Sequence, residues 1–357
     1  MKATTAEDRR SLSRELLSDT GSFVSYFQNY DDLATKDNIF STQGSSPPRD
    51  HNDVLSAAEL LKMHPRITRE AASSRLQAAW NTYTNIESTL ALAVQALIMT
   101  DSSAQDWHPA GFSLGDYRPI SWLSQEPFVS FVERSYSRTA NSRFKEDFTA
   151  KSQLKAWKLQ KRLGITFRLT DNLSEHLILD VKNNTLYLFH QVAYLKAHLA
   201  RYQHVPSPLD VPADDSLKCG TLPPQLLVET LYTLQGILFP SLDKKSGDVL
   251  NALIRRDGFD PECAQYEGYK IFSEPPEHFQ YVYWGKRIAQ LHELVKSRPP
   301  RNKAEKWFQQ KTSERNALLI ALLALFISIF VGILSIILGA VQVWIAWMAW
   351  KHPVRED

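Results

Sequence analysis

Cysteine is scarce in this sequence, which holds only Cys219 and Cys263 in 357 residues. Two thiols form at most one disulfide bond, which is too few to stabilise a chain of this length. This excludes a disulfide-stabilised scaffold. They are also too few for a thiolate zinc site, and no His-Glu-x-x-His pattern is present. The phosphate-binding loops Gly-x-x-x-x-Gly-Lys-Ser/Thr and Gly-x-Gly-x-x-Gly are absent as well. We therefore predict no metal centre and no cofactor.

Two other absences concern membranes. The first 22 residues contain no apolar core, so we expect no secretory signal there. Charge is missing from Ala317–Trp350, where 29 of 34 residues are hydrophobic. The other 323 residues carry 80 charged side chains, an ordinary proportion for soluble protein. The sequence therefore predicts a soluble body with a C-terminal transmembrane helix.

The length of this segment leaves two arrangements open. A straight helix of 34 residues is about 51 Å long, whereas the hydrocarbon core is about 30 Å thick. One arrangement is a single span over 317–338, followed by a flexible joint at Gly339 and an interfacial stretch over 341–350. The other is a hairpin that turns near Gly332, with arms too short to cross comfortably. We expect the single span.

Flanking charge predicts the orientation. Seven basic residues and two acids lie between positions 296 and 315, namely Lys296, Arg298, Arg301, Lys303, Lys306, Lys311 and Arg315 against Glu305 and Glu314. Because such residues stay on the cytoplasmic side, we predict a body that faces the cytosol at an internal membrane, most readily the endoplasmic reticulum. Five side chains are predicted interfacial anchors: Trp344, Trp347, Trp350, Lys311 and Arg315. A cytosolic body also predicts that the sequons at Asn172 and Asn183 carry no glycan.

Small residues recur along the segment at spacings of 4, 3, 4, 4, 3 and 4, at Ala317, Ala321, Ala324, Ser328, Gly332, Ser335 and Gly339. This 11-residue period keeps all seven on one helix face, and small faces let membrane helices approach closely. We interpret it as an association face, for a homo-oligomer or a membrane partner protein. The alternative is that small residues are simply common in such helices.

The sequence predicts an α+β fold for the body. It is mostly helical, with a three-stranded antiparallel meander over Gly164–Thr170, His176–Val181 and Thr185–Phe189. Periodicity predicts one long helix from Thr68 to Met99 and another over Glu277–Val295, with loops at 101–122 and 206–224. The predicted organisation is an N-terminal helix and linker (1–53), the body (54–298), a basic juxtamembrane helix (299–316), the membrane segment (317–350) and a short tail (351–357).

A second basic segment lies within the body. Residues 143–162 hold seven basic residues and two acids. A helix there could rest on an anionic membrane through Lys151, Lys155, Lys158, Lys161 and Arg162. The alternative is a solvated helix whose apolar residues face the core. We expect membrane lipids as partners and no nucleic acid, because the rest of the chain outside the two basic segments sums to −8.

Three motifs hint at chemistry without supporting it. Gly111–Gly115 matches the Gly-x-Ser-x-Gly elbow of hydrolases around Ser113, but nearby prolines favour a structural turn. Ser152–Lys155 matches Ser-x-x-Lys, a pattern common by chance. His190 and His198 could share a helix face, and a polar helix surface explains them better than a metal site.

Several C-terminal segments carry a resemblance. They are Leu226–Pro240, the Gly258–Pro261 turn, Phe279–Arg287, Glu305–Phe308, Glu314–Asn316 and Trp347–Pro353. Together they resemble the C-terminal half of an uncharacterised family of filamentous-fungal proteins that end in a membrane segment. The resemblance implies a membrane-anchored fungal protein and no catalytic residue.

The predicted function is a tail-anchored scaffold or accessory subunit that associates through its transmembrane helix. One alternative is a membrane-held enzyme or accessory protein of a fungal secondary metabolic pathway. A minor alternative is an oligomeric channel similar to the CorA-type magnesium channels. Those have two spans joined by Gly-Met-Asn, whereas Met348, the one methionine in this segment, precedes alanine.

Overall fold

The computed structural model describes residues 1–19, 21–35, 50–80, 86–103, 120–138, 152–266, 279–297 and 317–351. The chain divides into two units, a body over Met1–Ser297 and a second unit over Arg298–Asp357. Most of the described residues are helical, which confirms the predicted helical character.

Helices of the body are α1 (Ala6–Leu12), α2 (Val24–Thr35), α3 (His51–Met63), α4 (Arg69–Trp80), α5 (Ile86–Ile98), α6 (Phe128–Ser135), α7 (Ala156–Lys158), α8 (Val192–Ala200), α9 (Ala213–Lys218), α10 (Pro224–Tyr232), α11 (Lys244–Asp257) and α12 (Gly285–Ser297). Wider π-helical turns extend α1 over Ser13–Leu17, α7 over Leu159–Leu163 and α10 over Thr233–Leu238. The second unit contains α13 (Ala317–Lys351), the C-terminal helix.

The three predicted strands exist, but only one of their two predicted pairings does. They are β1 (Thr166–Thr170), β2 (Leu179–Asp180) and β3 (Thr185–Phe189), in the order β1-β3-β2. β1 runs parallel to β3, and only β2 pairs antiparallel with it. The sheet is therefore mixed rather than an antiparallel meander.

The connection after β1 explains the mixed order. An antiparallel neighbour would need a tight turn, but Leu173–Glu175 form a 3-10 turn in which Asn172 Oδ1 accepts a hydrogen bond from Ser174 N at 3.2 Å. Leu177 then adopts a positive φ of 61°, and its N–H donates to Tyr187 O on β3. The chain thus reaches the far side of β3 before β2 begins.

The predicted long helix over 68–99 is wrong. Arg69 Nη2 lies 2.7 Å from Glu87 Oε2, although 18 residues of continuous helix would separate them by about 27 Å. α4 and α5 are therefore two separate helices, which pack against each other. Residues 81–85, between them in the sequence, lie outside the described residues.

Other boundaries also differ from prediction. The 206–224 loop contains α9 and a 3-10 turn at Pro208–Asp210, and α12 begins at Gly285 rather than near Glu277. The predicted N-terminal linker stops before His51, where α3 begins, and α2 was not predicted. The linker over 41–49, most of the 101–122 loop, the juxtamembrane helix and the end of the tail lie outside the described residues.

The core gathers around α5, α8 and α10. Leu97, Phe131 and Leu227 are fully buried in it. Two tyrosines fasten the carboxyl end of α5, because Tyr26 Oη donates to Ala96 O at 2.8 Å and Tyr194 Oη donates to Leu97 O at 2.9 Å. Burial and these bonds give the body a continuous interior.

Candidate functional site

The C-terminal helix is continuous for 35 residues. Helical backbone runs through Gly332 and Gly339, so the structure contains neither the hairpin nor the joint considered above. Its apolar stretch Leu325–Met348 has 24 residues and a length of about 36 Å. It is the one helix among the described residues that is long and apolar enough to cross a membrane, and a moderate tilt fits it to a core of about 30 Å.

Exposure distinguishes this helix from a core helix. Over Leu325–Met348, its large apolar side chains are between 41% exposed, at Met348, and 73% exposed, at Ile336. They surround the helix instead of forming one stripe. Water solvates such a surface poorly, at a cost of about 25 cal/mol per Å², so it needs lipid or partner helices around it.

Part of the small-residue face can be placed. Ser328, Gly332, Ser335 and Gly339 lie in unbroken helix, and a Cβ added at either glycine would meet no atom within 4 Å apart from the neighbouring backbone of the helix. Ser335 Oγ donates to Val331 O at 3.0 Å, so its hydroxyl is satisfied within the helix. The side chains of Ala317, Ala321 and Ala324 lie outside the described residues. Association through this face stays a prediction.

The predicted anchors gain one member. Trp344 and Trp347 are exposed, and Lys351 Nζ lies 4.9 Å from the centre of the Trp347 ring. A lysine one helical turn beyond a tryptophan matches the tryptophan and lysine enrichment at membrane interfaces, and sequence reasoning could have found it from that spacing. The side chain of Trp350, and Lys311 and Arg315 altogether, lie outside the described residues.

The basic segment of the body is only partly exposed. Leu154 and Leu159 are fully buried, while Lys161 and Arg162 are exposed. Lys155 Nζ pairs with Asp243 Oδ1 at 3.2 Å, although the Ser-x-x-Lys match would direct it toward Ser152. Ser152 instead accepts a hydrogen bond from Lys158 at 3.1 Å. Lys151 lies outside the described residues.

His176 is held as a neutral base by the fold. Thr233 Oγ1 donates to Thr230 O, so its bond of 2.6 Å with His176 Nε2 requires a proton on that nitrogen. His176 Nδ1 accepts from Phe189 N at 3.2 Å. Burial, with a smaller effect of Arg287, lowers the pKa of His176 well below its ordinary value. Both nitrogens serve structure, so neither is available for proton transfer.

Both ring nitrogens of His190 also form hydrogen bonds within the fold. Its Nδ1 accepts from Asp260 N at 2.9 Å, which leaves Nε2 to donate to Asp171 Oδ1 at 3.1 Å. The nearby Cys263 thiol donates to His190 O, the backbone oxygen, and not to the ring. Burial raises the pKa of that thiol well above its ordinary value. A cysteine, a histidine and an aspartate thus meet without forming an activated nucleophile.

His198 corrects the expectation of a polar helix surface. It is fully buried on α8, its ring centre 4.0 Å from that of Tyr194. Both of its ring nitrogens are buried without a hydrogen-bond partner in the described structure, and burial lowers its pKa well below the ordinary value. His190 is also buried, so the two histidines do not share an exposed face. Within the described residues no group of three or more His, Cys, Asp or Glu could hold a metal ion.

Glu229 is fully buried and accepts four hydrogen bonds. Its Oε1 accepts from Gln225 Nε2 at 2.8 Å and from Val282 N at 2.5 Å. Its Oε2 accepts from the backbone N–H groups of Tyr283, at 2.9 Å, and Trp284, at 2.8 Å. Burial raises the pKa of Glu229, and these four donors oppose that rise. The carboxylate fixes the chain just before α12 and therefore does structural work.

One surface cavity, of about 370 Å³, lies where α3, α8 and α9 approach the end of α1. Its lining includes Glu15, Glu59, Lys62, Arg201 and Cys219. Arg201 donates to the backbone oxygens of Leu16, Cys219 and Gly220, and Lys62 donates to Glu15 O. Arg201 and Lys62 thus bind the protein's own carbonyl groups, and Lys218, which also lines the cavity, pairs with Asp214 and Asp215. The Ser113 motif lies outside the described residues.

Comparison with protein-family models, with curated protein sequences and with solved structures found no match.

Proposed function

We propose that this protein is a tail-anchored membrane protein that acts as a scaffold or accessory subunit. The observation that carries this proposal is the exposure of apolar side chains all around Leu325–Met348. A bilayer covers every face of such a helix at once, whereas a soluble partner would cover only one. Buried groups such as His176 and Glu229 serve the fold, which favours a binding role over a catalytic one.

The proposed orientation keeps the body in the cytosol at an internal membrane, the endoplasmic reticulum most readily. Basic residues dominate the sequence before the apolar helix, with seven against two acids between positions 296 and 315. Lys and Arg near a span resist translocation, so this excess supports retention of the body on the cytosolic side.

Anchoring is tested by alkaline extraction of membranes that contain the full chain. We expect the wild type to stay in the pellet. A Leu334→Arg/Ile337→Arg variant should move to the supernatant, because each arginine at the centre of a span costs about 2.5–3.5 kcal/mol. The control Leu334→Val/Ile337→Leu keeps the helix apolar and should behave as wild type. Extraction of the wild type would overturn the proposal.

The proposed association uses the face that carries Ser328, Gly332, Ser335 and Gly339. Since a Cβ at Gly332 meets no atom within 4 Å apart from the neighbouring backbone of its own helix, a leucine there acts on whatever lies outside the helix. Ser328→Leu/Gly332→Leu should reduce energy transfer between labelled copies in vesicles. Ile337→Ala, on the opposite face, should not. Equal transfer in all three proteins would exclude self-association through this face and leave anchoring unaffected.

A further inference from the structure

A basic patch with an apolar tip lies on the body. We call it the Leu242 patch, and it consists of Leu242, Trp157, Lys155, Lys158, Lys161, Arg162, Lys244 and Lys245. These residues come from two stretches that are about 80 positions apart in sequence, α7 with its π-helical turn and the start of α11. The patch exists because α7 packs against α11.

Direct contacts hold the two stretches together. Lys155 Nζ lies 3.2 Å from Asp243 Oδ1, across the junction. Lys245 Nζ lies 4.7 Å from the centre of the Trp157 ring, and Lys158 Nζ lies 5.7 Å from it on the other stretch. Lysines from both helices therefore meet at one half-buried indole.

Positive charge in the patch exceeds what its own acids neutralise. Residues 152–166 and 240–250 contain six basic residues against Asp243 and Asp248. Asp243 is shared, because it also caps α11 by accepting from Ser246 N and Ser246 Oγ. Burial lowers the pKa of Lys158, and the neighbouring Arg162 and Lys155 lower it further. An anion at this surface would relieve the repulsion among these cations.

The start of α11 adds an unfavourable placement of charge. Its first turn carries Lys244 and Lys245 and no acid, although the amino end of a helix favours negative charge. Helices normally place basic residues at the other end, as α11 also does with Arg255 and Arg256. Residues that break a local preference often serve a function, and here the two lysines extend the basic surface.

Leu242 supplies the apolar tip. It is 100% exposed, in the turn that connects Pro240 to α11. The buried leucines of the basic segment, Leu154 and Leu159, face the core and cannot reach a membrane. An apolar contact with lipid would therefore come from Leu242, a residue outside the basic segment found in the sequence.

We infer that the Leu242 patch is a second membrane contact, in which the basic residues bind anionic lipid headgroups and Leu242 enters the boundary between headgroups and acyl chains. This inference rests on the proposed function, since an anchored body meets its own bilayer at high effective concentration. A fully exposed leucine next to these basic residues favours lipid over nucleic acid. A polyanion would engage the cations and leave the leucine in water.

The test labels the tip in the full chain. Leu242→Cys in a Cys219→Ser background carries an environment-sensitive fluorophore, while the buried Cys263 thiol reacts poorly. The matched control places the same label at Val24→Cys, an exposed position on α2. The protein is reconstituted into phosphatidylcholine vesicles, with or without about 30% phosphatidylserine as the anionic lipid.

We expect the label at position 242 to shift to the blue and resist iodide only in the anionic vesicles, and the label at position 24 to stay accessible in both. Lys244→Glu/Lys245→Glu should abolish the protection, because each basic residue strengthens binding to anionic membranes by about fivefold. Arg255→Glu/Arg256→Glu, with the same charge change at the far end of α11, should retain it. About 1 M salt should also remove the protection, since the screening length falls to roughly 3 Å.

Flotation of the same vesicles separates this inference from the proposed function. Protein that floats while its label at position 242 stays accessible in both vesicle types overturns the second contact and leaves the anchor in place. Protein that fails to float overturns the anchor. Equal protection of the label by a soluble oligonucleotide without vesicles would identify the patch as a nucleic-acid surface and also overturn the inference.

Discussion

Replacing Glu229 with glutamine should destabilise the body strongly. The carboxylate is fully buried and accepts four hydrogen bonds, two at each oxygen. A glutamine keeps one oxygen and places an NH2 group against the two donors that meet the other. Each buried donor without an acceptor costs about 1–3 kcal/mol, and the neutral amide recovers some cost of burying a charge. We expect a loss of about 3 kcal/mol in the free energy of unfolding.

This loss is large compared with the total free energy of unfolding of a domain. Domains of ordinary size unfold with about 5–15 kcal/mol, so the variant should retain its fold with a much lower urea midpoint. The assay is urea unfolding of the full chain in detergent micelles, followed by near-ultraviolet circular dichroism of the packed tryptophans. Trp284 is among them, because Glu229 binds its backbone N–H and Thr230 accepts from its indole at 2.8 Å.

A control separates burial from charge. Glu59 is exposed on α3, so Glu59→Gln should change the free energy of unfolding by less than about 0.5 kcal/mol. If Glu229→Gln also costs less than about 1 kcal/mol, its carboxylate does not fix the start of α12 and the reasoning fails.

The remaining predictions concern pH and two glycines. Burial lowers the pKa of His176 and His198. Below about pH 6.5 the unfolded chain therefore binds protons that the folded chain does not. As the pH falls from 7 to 5.5, each histidine should lower the free energy of unfolding by about 1 kcal/mol. In His198→Leu, stability should fall less over that interval when the variant and wild type are titrated in parallel, and an unchanged pH slope would contradict the buried neutral state. Gly258→Ala should lower the free energy of unfolding by about 1–2 kcal/mol, because Gly258 ends α11 at a φ of 75°. Gly247→Ala should raise it by about 0.5–1 kcal/mol, because Gly247 lies inside that helix and a Cβ there meets open space. We expect the urea midpoint to fall in Gly258→Ala and to rise in Gly247→Ala. A change in the same direction in both variants would refute this reasoning.

Local patterns predicted the elements that local forces determine. The run Thr185–Phe189 predicted β3, and the uncharged run predicted the C-terminal helix. Each depends on the spacing of side chains within one segment, which the sequence states directly.

Pairing and burial depend on distant residues, and there the sequence was insufficient. The crossing from β1 to β2 follows from the positive φ of Leu177 and the bond between His176 and Thr233, which lies 57 residues away. Burial of His198 depends on packing around Tyr194 and cannot be read from its polar character. The start of α12 follows from Glu229, more than 50 residues earlier.

The sequence predicted what kind of site to expect but not all of its residues. The uncharged run identified the apolar C-terminal helix, and the basic segment identified half of the Leu242 patch. Leu242, Lys244 and Lys245 lie in another part of the sequence and join the patch only through the packing of α7 against α11. An isolated leucine between a proline and two lysines carries no signal by itself.

The central claim is an anchor that crosses the membrane with its body in the cytosol, and glycan mapping tests it most directly. Asn183 is exposed in the turn before β3, so its Asn-Asn-Thr sequon reports a body that enters the lumen. A second sequon, on a polar extension added after Asp357, reports translocation of the tail. In microsomes we expect a glycan on the extension and none on Asn183, with Asn183→Gln migrating as wild type. A glycan on Asn183, or none at either site, would contradict the account.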